Sequence, residues 1–255
     1  MERSFRTVII TQARTGSTRL PNKVLLKINN QEMLSIHINR LKQSRLANQV
    51  IVATTLNSAD HPIETLCKAT NTACFRGSEN DVLDRYYQCA KELAPEWVVR
   101  VTSDCPLIDP ELIDAVILCA QTNNADYCST GLLQHFPDGQ DVEVFKFSSL
   151  EKAWTNARLS SEREHVTPYI ISNSSLKGGK LFSSVHFPCI ADYNTIRMTV
   201  DEPKDFELVK LLIENLGTQQ SWLSYVQYVK AHNLGRINGN IIRNEGYLKS
   251  LQNDQ

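Results

Sequence analysis

Through its first half the chain alternates short β-branched runs with longer stretches of helical period, and few folds accept that alternation. The runs centre on Val8-Ile9-Ile10, on residues 49–55 (QVIVATT) and on 97–102 (WVVRVT), with a short further strand expected at 73–75. Residues 33–46 place apolar side chains at Met33, Leu34, Ile36, Ile38 and Leu41, the spacing of a helix with one buried face. Asp60-His61-Pro62 opens a second helix to about residue 70, and residues 78–93 predict a third, with Ser78 and Asp81 at capping-box spacing. Asp109-Pro110 opens a fourth, with Leu112, Ile113, Val116, Ile117 and Ala120 on its apolar face. Strand and helix in strict turn predict an α/β fold: three layers around a mostly parallel, doubly wound sheet. Ligands of such sheets bind beyond the carboxyl ends of the strands.

Two kinds of group are expected at that edge. The first follows the opening strand, in a loop carrying Arg14, Gly16, Ser17, Thr18, Arg19, Pro21 and Lys23, with no acidic residue between Glu2 and Glu32. Fixed cations, hydroxyls and a glycine that lets backbone amides come close suit a polyphosphate. The spacing is neither GxxxxGK[ST] nor GxGxxG, and its composition alone fits a solvated basic loop equally well. The second is a pair of aspartates, Asp104 and Asp201, each ending a β-branched run. Two carboxylates above a phosphate site suit Mg²⁺, which binds through few carboxylates plus phosphate oxygens and water. Each aspartate also precedes a helix and fits an N-cap.

The second half is less regular. Strands are expected at 125–129, 141–147, 183–188 and 195–200, and helices at 148–157, 203–216 and 221–232, with a short one at 245–251. Ser161 and Glu164 make another capping-box spacing. No linker divides the chain, so residues 1–255 read as one domain, with 131–182 as an inserted lobe. In that half Asp141, Glu143, Glu164 and His165 are able to bond sugar hydroxyls or move protons, and each equally fits an exposed strand or helix face.

Composition excludes several classes. A net charge of −1 argues against a general nucleic-acid binder. The seven cysteines contain no CxxC and read as reduced core residues. No apolar run approaches the ~18 residues of a membrane span, and there is no leader-like apolar stretch at the start, so a cytoplasmic protein is expected. The histidines show neither HxxxH nor HExxH, which argues against zinc.

The segment QARTGSTRLPNKVL, residues 12–25, closely resembles the signature of nucleotidyltransferases that act on sugars. It is most similar to cytidylyltransferase-like proteins of the spore coat polysaccharide biosynthesis protein F type, kin to the acylneuraminate and Kdo cytidylyltransferases. FRGSENDVLDRYYQCA from Phe75, RVTSDCPLIDPELID from Arg100, PDGQDVEVF from Pro137, SEREHVTPYI from Ser161 and RMTVDEPKDFELV from Arg197 extend the likeness in order. The resemblance implies the nucleotide-diphospho-sugar transferase fold, of glycosyltransferase-A type. It also implies that Gln12, Ala13 and Arg14 approach base and ribose, and that Arg14, Gly16, Ser17, Arg19 and Lys23 approach the phosphates. Arg76, Asp81 and Ser103 would lie near the nucleotide, and Asp104 and Asp201 would hold Mg²⁺. Asp141, Glu143, Glu164 and His165 would meet the acceptor sugar. Ser103 and Asn22 stand where many relatives carry glycine; asparagine tolerates left-handed geometry.

The implied activity is transfer of CMP from CTP to a sugar acid with release of pyrophosphate, with Arg14, Lys23, Asp104 and Asp201 as catalytic groups and a homodimer formed through the inserted lobe. Three rivals share the fold: a glycosyltransferase using a preformed nucleotide sugar, a uridylyl- or guanylyltransferase acting on a sugar phosphate, and a non-catalytic nucleotide-binding scaffold.

Overall fold

The computed structural model describes residues 7–254, so both ends of the expected 1–255 domain lie outside the described residues. The expected alternation is present as β1 (Thr7–Gln12), a small hairpin of β2 (Lys27–Ile28) and β3 (Gln31–Glu32), α1 (Met33–Leu41), β4 (Gln49–Thr55), α2 (His61–Ala69), β5 (Ala73–Gly77), α3 (Val82–Lys91), β6 (Trp97–Thr102) and α4 (Pro110–Thr122). There follow β7 (Tyr127–Ser129), β8 (Glu143–Lys146), α5 (Phe147–Asn156), α6 (Ser160–His165), α7 (Pro168–Ser172), β9 (Ser184–His186), α8 (Pro203–Leu216), α9 (Trp222–Ala231) and α10 (Glu245–Gln252).

Seven strands form one sheet in the order β5-β4-β1-β6-β8-β7-β9. β8 alone runs against its neighbours β6 and β7, and the other pairings are parallel. From β1 the chain first winds one way, to β4 and β5, then returns to place β6 on the other side of β1. That reversal sets the carboxyl ends of β1 and β6 side by side, the position at which open α/β sheets take their ligands. Strand β8 comes from the 131–182 stretch, so part of that stretch is an inner strand of the main sheet.

The β-branched strands are buried on both faces, as parallel strands require. On one face Val8, Ile10, Ala53 and Val98 pack with Leu83 and Tyr86 of α3 and Leu150 of α5. On the other, Ile9, Val99 and Val101 meet Ile113, Val116 and Ile117 of α4, and Val52 meets Leu34 of α1 and Ile63 of α2. Helices α8 and α9 close the body through Leu208, Leu212 and Val226, packed on Met33 and Ile28.

Four local expectations are corrected. Residues 195–200 form no strand: Met198 N donates to Asp138 O (2.7 Å) and Val200 N to Asp104 O (2.8 Å), so the segment divides its bonds between two loops. The first helix stops at Leu41 and not 46, because Asp114 draws the Arg45 and Leu46 amides into a turn. Helix α3 starts at Val82, with the Asp81 carboxylate capping Asp84 N at 2.8 Å; Ser78 Oγ instead accepts from Asp81 N. At α6 the reciprocal carboxylate is Glu162, which takes the Arg158 and Leu159 amides (2.9 and 3.1 Å), and not Glu164.

Candidate active site

The reversal between β1 and β6 puts two distant segments side by side. β1 pairs with β6 from Thr7–Trp97 to Gln12–Thr102, so the loop after Gln12 and the turn after Thr102 leave the sheet together. Lys23, on the single turn that ends the loop, reaches across this gap. Its Nζ donates to Asp104 Oδ2 at 2.9 Å, Asp201 Oδ1 at 2.8 Å and the Val200 carbonyl at 2.9 Å. Burial works against its charge, but the Asp104 and Asp201 carboxylates outweigh that and hold its pKa above the ordinary lysine value. For Asp104, too, burial acts against ionisation and Lys23 overrides it, keeping the carboxylate well below its usual range. Neither aspartate caps a helix; α8 is capped from Glu202.

Asp201 is held from behind. Arg197 Nη2 donates to Asp201 Oδ2 at 2.8 Å, and its Nε meets Asp205 Oδ1 at 2.9 Å while Nη1 bonds Asp138. Asp205, fully buried, takes the Asp201 and Glu202 amides at 3.0 Å each and the Asn238 amide group at 2.8 Å. The sequence reading missed Arg197, Asp138 and Asp205. Arg197 and Asp205 had a signal, an arginine and an aspartate four residues either side of Asp201 in the quoted RMTVDEPKD segment, and Asp138 lay in the quoted PDGQDVEVF segment.

The cationic loop is anchored by a residue first read only as a helix opener. Asp60 is buried and accepts from Thr15 N and Thr15 Oγ1, both at 2.7 Å, and from the Thr55 hydroxyl. This pins the loop's middle to the end of β4 and leaves Arg14 and Gly16 facing solvent. Arg19 lies among Asp201 (3.2 Å), Glu245 (3.3 Å) and Glu202 (3.6 Å). Ser17 Oγ accepts from Leu20 N at 3.4 Å, Ala13 is buried, and Gln12 Oε1 is buried without a partner. Ser103 is buried beside Asp104. Arg76 is committed elsewhere, to the Thr55 and Asn57 carbonyls (3.0 and 2.9 Å) and Glu64. Asp81 is likewise spent on its cap and on Arg163.

On the face of the sheet covered by α3 and α6, Glu143 is surrounded by donors. Tyr127 OH and Thr167 Oγ1 each donate to its Oε1 at 2.6 Å, and Arg100 bonds the other oxygen. His165 sits nearby, and burial together with the Arg100 charge pushes its pKa down to about 4. Among the described residues its Nε2 and the Arg100 Nε are both buried without a hydrogen-bond partner, Glu164 Oε2 lying 3.8 Å from the Nε2. Between His165 and Thr167 the backbone makes a tight γ-turn: Val166 has φ 71° and ψ −54°, and Thr167 N donates to His165 O at 2.8 Å. A β-branched residue held there costs about 1–3 kcal/mol. Asp141 pairs with Arg243 at 2.8 Å, and Glu164 is exposed. Thus Lys23, Asp104, Asp201 and Arg19 form one cluster, Glu143 and His165 a second, and Arg76 and Asp81 belong to neither.

The chain matches the family model described as cytidylyltransferase over residues 8–229. It is 46% identical over 199 residues to an uncharacterised protein of Methanocaldococcus jannaschii, covering 78% of this chain and 79% of that one. It is 31% identical over 215 residues to the spore coat polysaccharide biosynthesis protein SpsF of Bacillus subtilis, covering 82% of this chain and 87% of SpsF. The solved structure of a cytidylyltransferase from Leptospira borgpetersenii superposes with a TM-score of 0.85 at 33% identity, over 93% of this chain and 98% of that one. The parallel sheet with its reversal beside β1, the paired carboxylates at that reversal and a family match over most of the chain agree, and the chain belongs to the cytidylyltransferase family.

Proposed function

We propose that the chain transfers CMP from CTP to a hydroxyl of a sugar acid, in the making of a surface polysaccharide or glycan. The acceptor oxygen bonds to the α-phosphorus, the bond to the β-phosphate oxygen breaks, pyrophosphate leaves and the hydroxyl proton is lost. One observation carries the reading: two carboxylates, Asp104 just past the end of β6 and Asp201 just before α8, converge on a single cationic position at the reversal of the sheet, 2.9 and 2.8 Å from Lys23 Nζ. The SpsF likeness supports the polysaccharide setting, and the likeness of residues 12–25 to Kdo and acylneuraminate cytidylyltransferases supports the sugar acid.

The donor set fits Mg²⁺. Asp104 and Asp201 are hard oxygen ligands already gathered around one positive charge. Among the described residues no group of three or more His, Cys, Asp or Glu side chains offers a fuller protein cage, so phosphate oxygens and water would complete the shell, as Mg²⁺ prefers. Asp104 and Asp201 would hold the ion, which supplies neutralisation of triphosphate charge. Lys23, Arg14 and Arg19 then stabilise charge on the departing pyrophosphate, with Ser17 and the amides around Gly16 against the phosphates. Gln12, Ala13 and Ser103 border base and ribose. Arg76 and Asp81 shape the neighbouring loop without touching the nucleotide. Glu143, His165, Asp141 and Glu164 face the acceptor. Such transfer rests on positioning and electrostatics, so no dedicated base is required.

The reading includes a cytoplasmic homodimer formed through 131–182. Leu133, Leu159, Leu176 and Leu181 are exposed in that stretch, and a monomer mass in sedimentation would remove the dimer. For the chemistry the test is Asp104→Asn and Asp201→Asn with CTP, a sugar acid and saturating Mg²⁺. Each lowers the rate of pyrophosphate release by about 100-fold or more; near-normal release by Asp104→Asn contradicts the proposal.

A further inference from the structure

Residues after Leu234 lie beyond the stretch 8–229 matched by the family model, yet they touch one site residue after another. Asn238 bonds the Arg197 carbonyl at 3.1 Å and Asp205 at 2.8 Å. Arg243 donates to the Phe136 carbonyl at 3.0 Å and to Asp141 at 2.8 Å. Glu245 meets Arg19 at 3.3 Å. The Tyr247 and His165 rings meet edge to face, 5.0 Å between centroids at 82°, and Asp254 accepts from Ser161 N at 2.9 Å. The segment therefore runs from the network behind Asp201, past the turn at Asp141 and the cationic loop, to the helix that carries His165.

Helix α10 does not make these contacts as a by-product of core packing. Only Ser250 is buried on it, and Leu248 and Leu251 are exposed. A helix kept for stability alone would bury an apolar stripe. Two buried nitrogens near it, Arg243 Nε and His165 Nε2, have no hydrogen-bond partner among the described residues, the Glu164 carboxylate standing 3.8 Å from the latter. Buried polar groups in folded proteins are nearly always bonded, so an unpartnered pair calls for an occupant. A sugar's hydroxyls and carboxylate supply oxygens for both.

We propose that residues 238–254 form the acceptor-side wall of the active site. Arg243 and Tyr247 are positioning residues that hold Asp141 and His165 against the acceptor. The inference rests on the cytidylyl-transfer reading and adds to it a second determinant of which acceptor is taken.

The test uses the full chain with CTP, Mg²⁺ and a panel of probes: N-acetylneuraminate, 3-deoxy-manno-octulosonate and common sugar phosphates. Pyrophosphate release and calorimetric binding are measured for the wild type, Tyr247→Ala, Tyr247→Phe, Arg243→Ala and Arg243→Lys. Tyr247→Ala and Arg243→Ala raise the acceptor KM by about tenfold or more while the KM for CTP stays within about twofold. Tyr247→Phe, which keeps the ring, returns the acceptor KM to within about twofold of wild type. Acceptor KM values within about twofold of wild type in both alanine variants overturn the proposal, and so does a CTP KM that rises in step, since that marks a structural role. If one alanine variant does not fold, the other decides. A wild type that binds CTP and none of the panel overturns the wall and leaves nucleotide binding standing; a wild type that does not bind CTP removes the underlying reading, and the inference with it.

Discussion

Two glycines separate what the fold needs from what a ligand needs. Gly139 has φ +104°, and a Cβ there would lie 2.7 Å from the Met198 carbonyl carbon and the Thr199 amide, so the turn holding Asp138 and Asp141 requires glycine. Gly16 is the opposite case: its φ is not positive and a Cβ would meet nothing within 4 Å. Gly16→Ala is therefore expected to leave unfolding free energy within about 1 kcal/mol of wild type, or to raise it slightly. If the triphosphate lies along this backbone, the same change weakens CTP binding by about tenfold or more. Calorimetric titration together with urea unfolding separates the two effects, and unchanged CTP affinity would remove Gly16 from the phosphate site. Lys23 and Asp104 were legible because the loop after β1 and the turn after β6 both leave recognisable strands, and Asp201 because it closes a β-branched run, although that run forms no strand. Asp60 and Asp138 were not, because each acts through a partner brought near only by folding: Thr15 for the one, Arg197 for the other. Arg76 was legible as a cation near a strand end but not as one already bound to two carbonyls.

Elements were read most securely where burial dictates their pattern. The three β-branched runs became strands, and the apolar spacing of α1 and α4 became helices, because each faces a hydrophobic layer. Residues 195–200 carry the same β-branched signature and failed, since their hydrogen-bond partners are two loops and not one strand. The β2–β3 hairpin was missed although Asn29 and Asn30, with φ of 48° and 63°, are the residues such a two-residue turn favours. Helix α1 also carries a pH-sensitive tie to the site. His37 is fully buried, one ring nitrogen bonded to Thr11 Oγ1 (3.0 Å) and the other to the Cys105 carbonyl (2.9 Å), and burial pushes its pKa down to about 4 from an ordinary 6.5. A base whose pKa is depressed on folding contributes stability above its unfolded pKa and loses it as pH falls through the folded one. Unfolding free energy should accordingly drop by up to about 3 kcal/mol between pH 6.5 and 4 on account of this group. His37→Gln should flatten that part of the profile in urea unfolding; an unchanged slope would assign the pH dependence to other groups.

At the scale of the whole molecule, the order of the strands explains why residues 23, 104 and 201 meet. Winding outward to β5 and back to β6 leaves β1 and β6 adjacent and parallel, so the loops after Gln12 and Thr102 leave the sheet together. The residues after α8 and α9 then return over the same edge. The net charge of −1 conceals this concentration of charge, because Lys23 and Arg19 are set against Asp104, Asp201, Glu202 and Glu245. The central claim is that these carboxylates and cations act on CTP with a sugar acid as acceptor. Its most direct test is pyrophosphate release measured for CTP, UTP, ATP and GTP, each against sugar acids and sugar phosphates, with Mg²⁺. Release is expected with CTP and a sugar acid, and little with the other nucleotides or with sugar phosphates. Release that favours another nucleotide, or none from CTP with any acceptor although CTP binds, would contradict it.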